Sequence, residues 1–307
     1  MYNITMNILV IDANIHHKNR NGLIMMFDYL KQERNVGLSY TFGDTNTLAN
    51  KEYRWDVVVS PAVPVNTAEF PNTKFIFGPH FSVFPNRMLN FLNNRVHNNS
   101  VYIQPSKWAM DVWRSMGVET VIPVKIQPFP VDVQKFNRLE IEDDMVKTDV
   151  FIYFKRRKPS ELQVLENTLI ERKINYKVFD YVKRYEEEDY LEYLKKAKYG
   201  IIIDAHESQG FAIQEAMSCN VPLLVWNART MAQEEGINYP EYPATSIPYW
   251  DDSCGEVFTN WINEFNTVFE KFQRGIEERK YKPRDYIINE LGVANCANKL
   301  VRLINSI

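Results

Sequence analysis

Short apolar runs alternate with amphipathic stretches along the first half of the chain. The runs lie at residues 7–12, 38–42, 56–59, 74–77 and 101–103. Apolar runs of this length are typical of strands buried on both faces of a parallel sheet. Stretches with helical spacing follow several of them, at residues 23–30, 87–94 and 107–116. Strands that alternate with helices predict a parallel α/β sheet.

The same rhythm returns in the second half. Strands are predicted at residues 149–154, 176–179, 200–203 and 222–226, and helices at residues 161–171, 188–197 and 211–219. From Trp261 onward the pattern is helical, with an interruption at Pro283 and an amphipathic end over residues 293–304. Both halves are therefore expected to wind in the same way.

One segment breaks this rhythm and is the best linker candidate. Residues 129–137 carry Pro130 and few helical signals, and the acidic stretch 140–144 follows them. A chain of 307 residues has room for two domains of about 150 residues each. We predict an N-terminal domain over residues 1–138 and a second domain over residues 145–290. Residues 291–307 form a last helix that is a candidate to cross back to the first domain.

Composition excludes several classes of protein. Hydrophobic residues make up 45% of the chain and charged residues 24%, as in folded globular proteins. The net charge of −3 leaves no basic footprint for nucleic acid. Three cysteines without close pairing favour a reducing compartment, and neither a leader nor a membrane span is recognisable. We expect a cytoplasmic protein; peripheral membrane contact and oligomeric state stay open.

The most informative segment lies between the predicted strands 200–203 and 222–226. It holds Glu207, Gly210 and Glu215 in a strand–loop–helix unit. In an open α/β sheet, ligands bind outside the carboxyl ends of the strands, and a helix starting near Gly210 would point its free amides at an anion. A diphosphate suits such a place. Glu215, more than one turn into the helix, could accept hydrogen bonds from sugar hydroxyls.

The spacing of these residues resembles the signature of the retaining glycosyltransferases of family 4. Glu207 and Glu215 are separated by seven residues, and a Pro-led apolar strand starts at Pro222. Residues 105–117 and 128–136 resemble the helix and the interdomain crossover of the same family. The resemblance implies a GT-B fold, with two Rossmann-like doubly wound domains facing a cleft, and transfer of a sugar from a nucleotide-diphosphate sugar to an unidentified acceptor.

The resemblance also implies roles for the residues of this segment. Glu215 would bind the ribose hydroxyls of the donor, and Glu207 would contact the donor sugar. Gly210 and Phe211 would offer backbone amides to the sugar or the phosphates. Family members retain the anomeric configuration and need no metal, which agrees with the lack of an Asp-x-Asp motif in this sequence. No cofactor is expected besides the nucleotide sugar.

A basic run follows the first strand of the second domain, where the family places an Arg and a Lys that neutralise the diphosphate. Residues 155–158 read Lys-Arg-Arg-Lys, with a shorter spacing than usual. We favour Lys155 and Arg157, because alternate residues share one side of an extended strand end. Which of the four residues points inward stays open, and the alternative for the whole run is a solvated turn.

Two residues of the first half are candidate donor contacts. His80 follows a predicted strand, where related enzymes often have a histidine that faces the donor sugar. Its imidazole could hydrogen-bond a sugar hydroxyl or support positive charge at the anomeric carbon. His80, Glu207 and Lys155 form the predicted catalytic set. Gly22 lies in the loop after the first strand, where family members carry paired glycines near the phosphates. This sequence has a single glycine there. His206, beside Glu207, is left out of the catalytic set because its side chain could point into the sheet.

Two other functions remain open. A sugar-nucleotide epimerase would need the same nucleotide contacts but no acceptor. A non-catalytic sugar-nucleotide or glycan-binding protein could keep the fold without turnover, and the single loop glycine and the compressed basic run make this alternative conceivable.

Overall fold

The chain folds into two compact units. The computed structural model describes residues 6–32, 37–80, 83–138 and 149–307. The first unit comprises Met1–Pro130 and Val293–Ile307, and the second comprises Val131–Gly292. The acidic stretch 140–144 and the predicted domain start at residue 145 lie outside the described residues. The last helix is thus part of the first unit.

The described residues form strands and helices in close alternation. The strands are β1 (Met6–Ile11), β2 (Leu38–Gly43), β3 (Val57–Ser60), β4 (Lys74–Phe77), β5 (Ser100–Gln104), β6 (Val124–Ile126), β7 (Asp149–Lys155), β8 (Tyr176–Asp180), β9 (Ala197–Asp204), β10 (Leu223–Trp226) and β11 (Gly255–Phe258). The helices are α1 (His17–Gln32), α2 (Thr45–Ala49), α3 (Asn86–Asn93), α4 (Lys107–Ser115), α5 (Pro159–Glu171), α6 (Glu187–Lys196), α7 (Phe211–Ser218), α8 (Trp261–Glu277), α9 (Pro283–Leu291) and α10 (Val293–Asn305).

The first unit is built on a parallel sheet of six strands in the order β2-β1-β3-β4-β5-β6. Strands β3 and β5 are buried along their whole length, as their apolar runs require. Helix α10 packs against α1, and Gln127 donates from its side-chain amide to the carbonyl of Cys296 in α10. The end of the chain therefore helps to close this core.

The second unit has a parallel sheet of five strands in the order β11-β10-β9-β7-β8. Strand β9 is buried over nearly all its length and pairs with β7 and β10. A row of aromatic side chains on β10, β11 and α8 fills one face, namely Trp226, Phe258, Phe265, Phe269 and Phe272. Two parallel sheets with helices between their strands confirm the predicted α/β class.

The start of α1 differs from the prediction. The helix begins at His17, whereas the apolar pattern predicts a start at Leu23. Its first turns carry polar residues, so periodicity does not reveal them. Gly22 consequently lies inside the helix rather than in a loop. A Cβ atom on Gly22 would lie 3.1 Å from the side chain of Phe129, which gives packing as a reason for glycine at this position.

Candidate functional site

The order of the strands in the second unit defines where a ligand is expected. The chain leaves β7 for β8 on one side and returns to β9 on the other side of β7. Such a switch point opens a crevice outside the carboxyl ends of the two strands, and open α/β sheets bind their ligands there. Lys155 ends β7, and Asp204 ends β9.

An ion pair crosses this switch point. The Nζ atom of Lys155 donates to Oε1 of Glu207 at 2.6 Å, and the two side chains are 15% and 13% exposed. The backbone amide of Glu207 donates to the carbonyl of Thr245 at 3.0 Å, which fixes the loop after β9. The structure thus brings together two of the predicted site residues.

Charge and burial act in opposite directions on this pair. Burial alone would raise the pKa of Glu207, but the ammonium of Lys155 holds it below its usual value. Burial alone would lower the pKa of Lys155, yet the carboxylate of Glu207 holds it above its usual value. Burial, followed by the charge of Glu207, raises the pKa of Asp204 well above its usual value. The contact thus favours the charged form of both members of the pair, whereas burial disfavours the charged form of Asp204 beside them.

The basic run after β7 does not follow strand alternation. Arg156 has a φ of 52°, in the left-handed region, so the extended geometry ends at Lys155. Lys155 and Arg156 both lie over the ring of Tyr181, with Nζ at 4.7 Å and Cζ at 5.6 Å from its centroid. The side chain of Arg156 is 45% exposed and donates to Oε1 of Glu234 at 2.9 Å.

Arg157 lies in a different environment from the exposed Arg156, and the donor contact predicted for Arg157 stays a prediction. Its guanidinium is buried and donates to both carboxylate oxygens of Glu161, at 2.7 and 2.9 Å. It also donates to the carbonyls of Asp204 and Trp226, at 3.2 and 3.4 Å. The left-handed residue before it turns the chain, so Arg157 ties β7, β9, β10 and α5 together.

The loop after β9 leads into α7 through Gly210, which has a φ of +86° and no side chain to cap the helix. A Cβ on Gly210 would lie 3.4 Å from the Cβ of Glu207, so the start of α7 lies beside the ion pair. Glu215 is buried in the helix. Burial, then the charges of Glu215 and Glu207, raise the pKa of Tyr185. The charges of both predicted glutamates therefore raise the pKa of the same tyrosine. The donor contacts of Gly210, Phe211 and Glu215 stay predictions.

In the first unit, His80 follows β4 and packs in an aromatic cluster. Its Nδ1 lies 2.7 Å from the hydroxyl oxygen of Tyr102, and its ring meets Trp113 edge-on at 5.4 Å. Burial lowers the pKa of His80 to about 4, partly offset by a hydrogen bond with the backbone of Phe84. The ring is neutral at physiological pH. Its predicted catalytic role, like the donor contact predicted for Gly22, stays a prediction.

Sequence reasoning missed one residue of the site. Glu234 is buried after β10, and its carboxylate lies between Arg156 and His206. No motif surrounds it in the sequence, and the loop that carries it has no periodicity. Its partner His206, next to Glu207, lies far from it in the sequence, so the contact emerges only in the structure.

The described residues contain neither a cluster suited to a metal ion nor a helix suited to cross a membrane. Within these ranges, no group of three or more His, Cys, Asp or Glu side chains could hold a metal ion. None of the helices that the structure describes has the length and apolar character to cross a membrane. Metal independence stays a prediction.

Three solved structures share this architecture. The chain matches the apo form of the lipopolysaccharide outer core galactosyltransferase WaaB with a TM-score of 0.58 and 13% identity, over 98% of this chain and 99% of that one. It matches the N-terminal domain of Candida albicans trehalose-6-phosphate phosphatase with a TM-score of 0.59 and 11% identity, over 100% of this chain and 98% of that one. It matches the catalytic domain of Arabidopsis thaliana starch synthase IV, bound to ADP and acarbose, with a TM-score of 0.54 and 8% identity. This match covers 85% of this chain and 74% of that one.

These likenesses are structural. No family model matches the sequence, and no curated protein does. The predicted GT-B fold is confirmed, with its two parallel sheets matching GT-B glycosyltransferase structures.

Proposed function

We propose that the chain is a glycosyltransferase that takes a sugar from a nucleotide-diphosphate donor held by the second unit. The observation that carries this proposal is the meeting of the Lys155–Glu207 ion pair with the start of α7 at the switch point of the sheet. Cations, the amides at a helix start and carboxylates at one sheet edge suit a ligand that combines a diphosphate with sugar hydroxyls.

Each group has a task in this proposal. Lys155 and the exposed guanidinium of Arg156 bind the diphosphate, and the amides of Gly210 and Phe211 add donors at the positive end of α7. Glu215 accepts hydrogen bonds from the ribose hydroxyls, and Glu207 accepts them from the donor sugar. Arg157 stabilises the carboxyl ends of β9 and β10 through its hydrogen bonds to the carbonyls of Asp204 and Trp226. This set replaces the pair Lys155 and Arg157 that the sequence favours.

The chemistry needs little from the protein beyond stabilisation of charge. The bond between the anomeric carbon and the diphosphate oxygen breaks, and its electron pair leaves with the nucleoside diphosphate. The acceptor hydroxyl attacks from the same face, and its proton passes to the departing phosphate oxygen, so the configuration is retained. Charge that grows on the leaving diphosphate is stabilised by Lys155 and Arg156.

The structural neighbours support the proposal in part. One is a galactosyltransferase, and one is a starch synthase bound to ADP. The third is a domain of a phosphatase, so the fold by itself does not decide the activity. The proposal therefore rests on the site.

The test is release of nucleoside diphosphate from UDP-glucose, UDP-galactose, GDP-mannose and ADP-glucose, each with and without a panel of sugar and lipid-linked acceptors. We expect one donor to release its diphosphate only when an acceptor is present, with EDTA leaving the rate unchanged and the product retaining the anomeric configuration. Conversion of a donor without release would indicate an epimerase. Donor binding without turnover across the panel would indicate a binding protein.

A further inference from the structure

A single buried carboxylate joins the ends of two strands at this site. The side chain of Glu234 is 1% exposed; its Oε1 accepts from Nη1 of Arg156 at 2.9 Å, and its Oε2 lies 2.7 Å from Nε2 of His206. Arg156 follows Lys155, and His206 precedes Glu207. The chain neighbours of the ion pair are therefore themselves connected, through Glu234.

The loop that carries Glu234 is held in place by its backbone. Met231 donates to the carbonyl of Tyr242 at 2.9 Å, and Thr230 and Pro243 form an antiparallel bridge. The amide of Glu235 donates to the carbonyl of Arg156 at 2.8 Å. The loop thus contacts Arg156 through both its backbone and the Glu234 side chain.

Burial of an unpaired carboxylate costs folding free energy, so the partners of a buried carboxylate are held firmly in place. Burial would raise the pKa of Glu234, but the contact with His206 and the charge of Arg156 hold it below its usual value. The guanidinium is planar and presents its donors in a fixed fork, so fixing one edge orients the rest. The rest of Arg156 stays exposed over Tyr181, at the switch point.

We propose that Glu234 is a positioning residue, which orients the guanidinium of Arg156 toward the diphosphate of the donor. This inference rests on the proposed function and adds to it a residue that does not touch the ligand. Binding of the diphosphate then requires little reordering of the arginine, whose rotamer freedom is already restricted in the empty site.

A double-mutant cycle tests the inference. Binding of UDP, GDP, ADP and inorganic pyrophosphate is measured by calorimetry on the wild-type chain, Arg156→Gln, Glu234→Gln and the double variant. We expect each single change to weaken diphosphate binding about tenfold or more, because a charge-assisted hydrogen bond is lost or misaligned. The double variant should bind no more weakly than Arg156→Gln alone, since Glu234 acts through Arg156.

The matched control is Glu235→Gln, which removes the same charge from the exposed neighbouring side chain and should leave the Kd unchanged. Equal losses from Glu234→Gln in both backgrounds would mean a general structural effect and would overturn the inference. Unchanged binding in Glu234→Gln would overturn it while leaving the proposed function intact. Absence of binding by the wild-type chain would contradict both.

If Glu234→Gln does not fold, Arg156→Lys decides the question without touching the buried carboxylate. Lysine keeps the charge but cannot share one planar fork between Glu234 and a phosphate. We expect weaker diphosphate binding with an unchanged melting temperature. Wild-type affinity in Arg156→Lys would contradict the inference.

Discussion

Arg156 and Arg157 are chain neighbours whose side chains lie in opposite environments. Arg156 is exposed at the switch point, whereas Arg157 is buried and donates to Glu161 and to two strand-end carbonyls. The left-handed backbone at Arg156 separates the two directions. A basic run that the sequence presents as one cluster is thus divided between an exposed cation and a buried one.

This division predicts separate effects on stability and binding. Arg157→Lys should lower the free energy of unfolding by about 3 kcal/mol, because Glu161 loses its bidentate partner and the buried carbonyls lose donors. Diphosphate affinity at a temperature where the variant is folded should stay close to wild type. Urea unfolding and calorimetry measure the two quantities.

Lys158→Met provides the control, since its exposed side chain belongs to the same run. It should change neither stability nor affinity. A stable Arg157→Lys variant that fails to bind diphosphate would show that the guanidinium of Arg157 faces the donor after all.

At the scale of elements, the strands that carry the candidate site have the clearest apolar patterns in the sequence. β7 and β9 are apolar runs buried on both faces. The loop before α7 carries Glu207 and Gly210, and α7 itself carries Glu215, the residues that indicate a ligand. Shorter elements were missed. β6 has a single buried residue among its three, and β11 combines a glycine and a glutamate, so neither gives an apolar run.

Helix α10 provides a prediction at the same scale. Its buried residues pack in the first unit, and Lys74 donates to the carbonyl of Ile304 at 2.6 Å. Leu300→Ala should lower the free energy of unfolding by about 2–5 kcal/mol, through lost burial and the cavity that remains. Arg302→Ala, exposed on the same helix, is the matched control and should have little effect. Equal stability of the two variants in urea would contradict the packing of α10 in this core.

At the scale of the whole molecule, the pattern of hydrophobic and polar residues was sufficient to predict the class of fold but not the details of the site. Identities of 8 to 13% to structures of the same architecture show how many sequences satisfy that pattern. The Lys155–Glu207 pair joins two predicted residues, because strand ends in a parallel sheet meet at one edge. Glu234 could not be predicted, since its contacts depend on how an irregular loop folds back over β7.

The measurement that tests the central claim most directly is thermal unfolding of the wild-type chain with UDP, GDP, ADP and dTDP. A ligand that binds only the folded state raises the melting temperature, by about 5 °C at a concentration about a hundredfold above its Kd. We expect one nucleoside diphosphate to do so, and to lose the effect in Glu215→Gln. The shift should persist in Glu256→Gln, which changes a buried glutamate on the edge strand β11. If none of the four shifts the wild-type transition, the second unit does not hold a nucleotide donor and the proposed function is wrong.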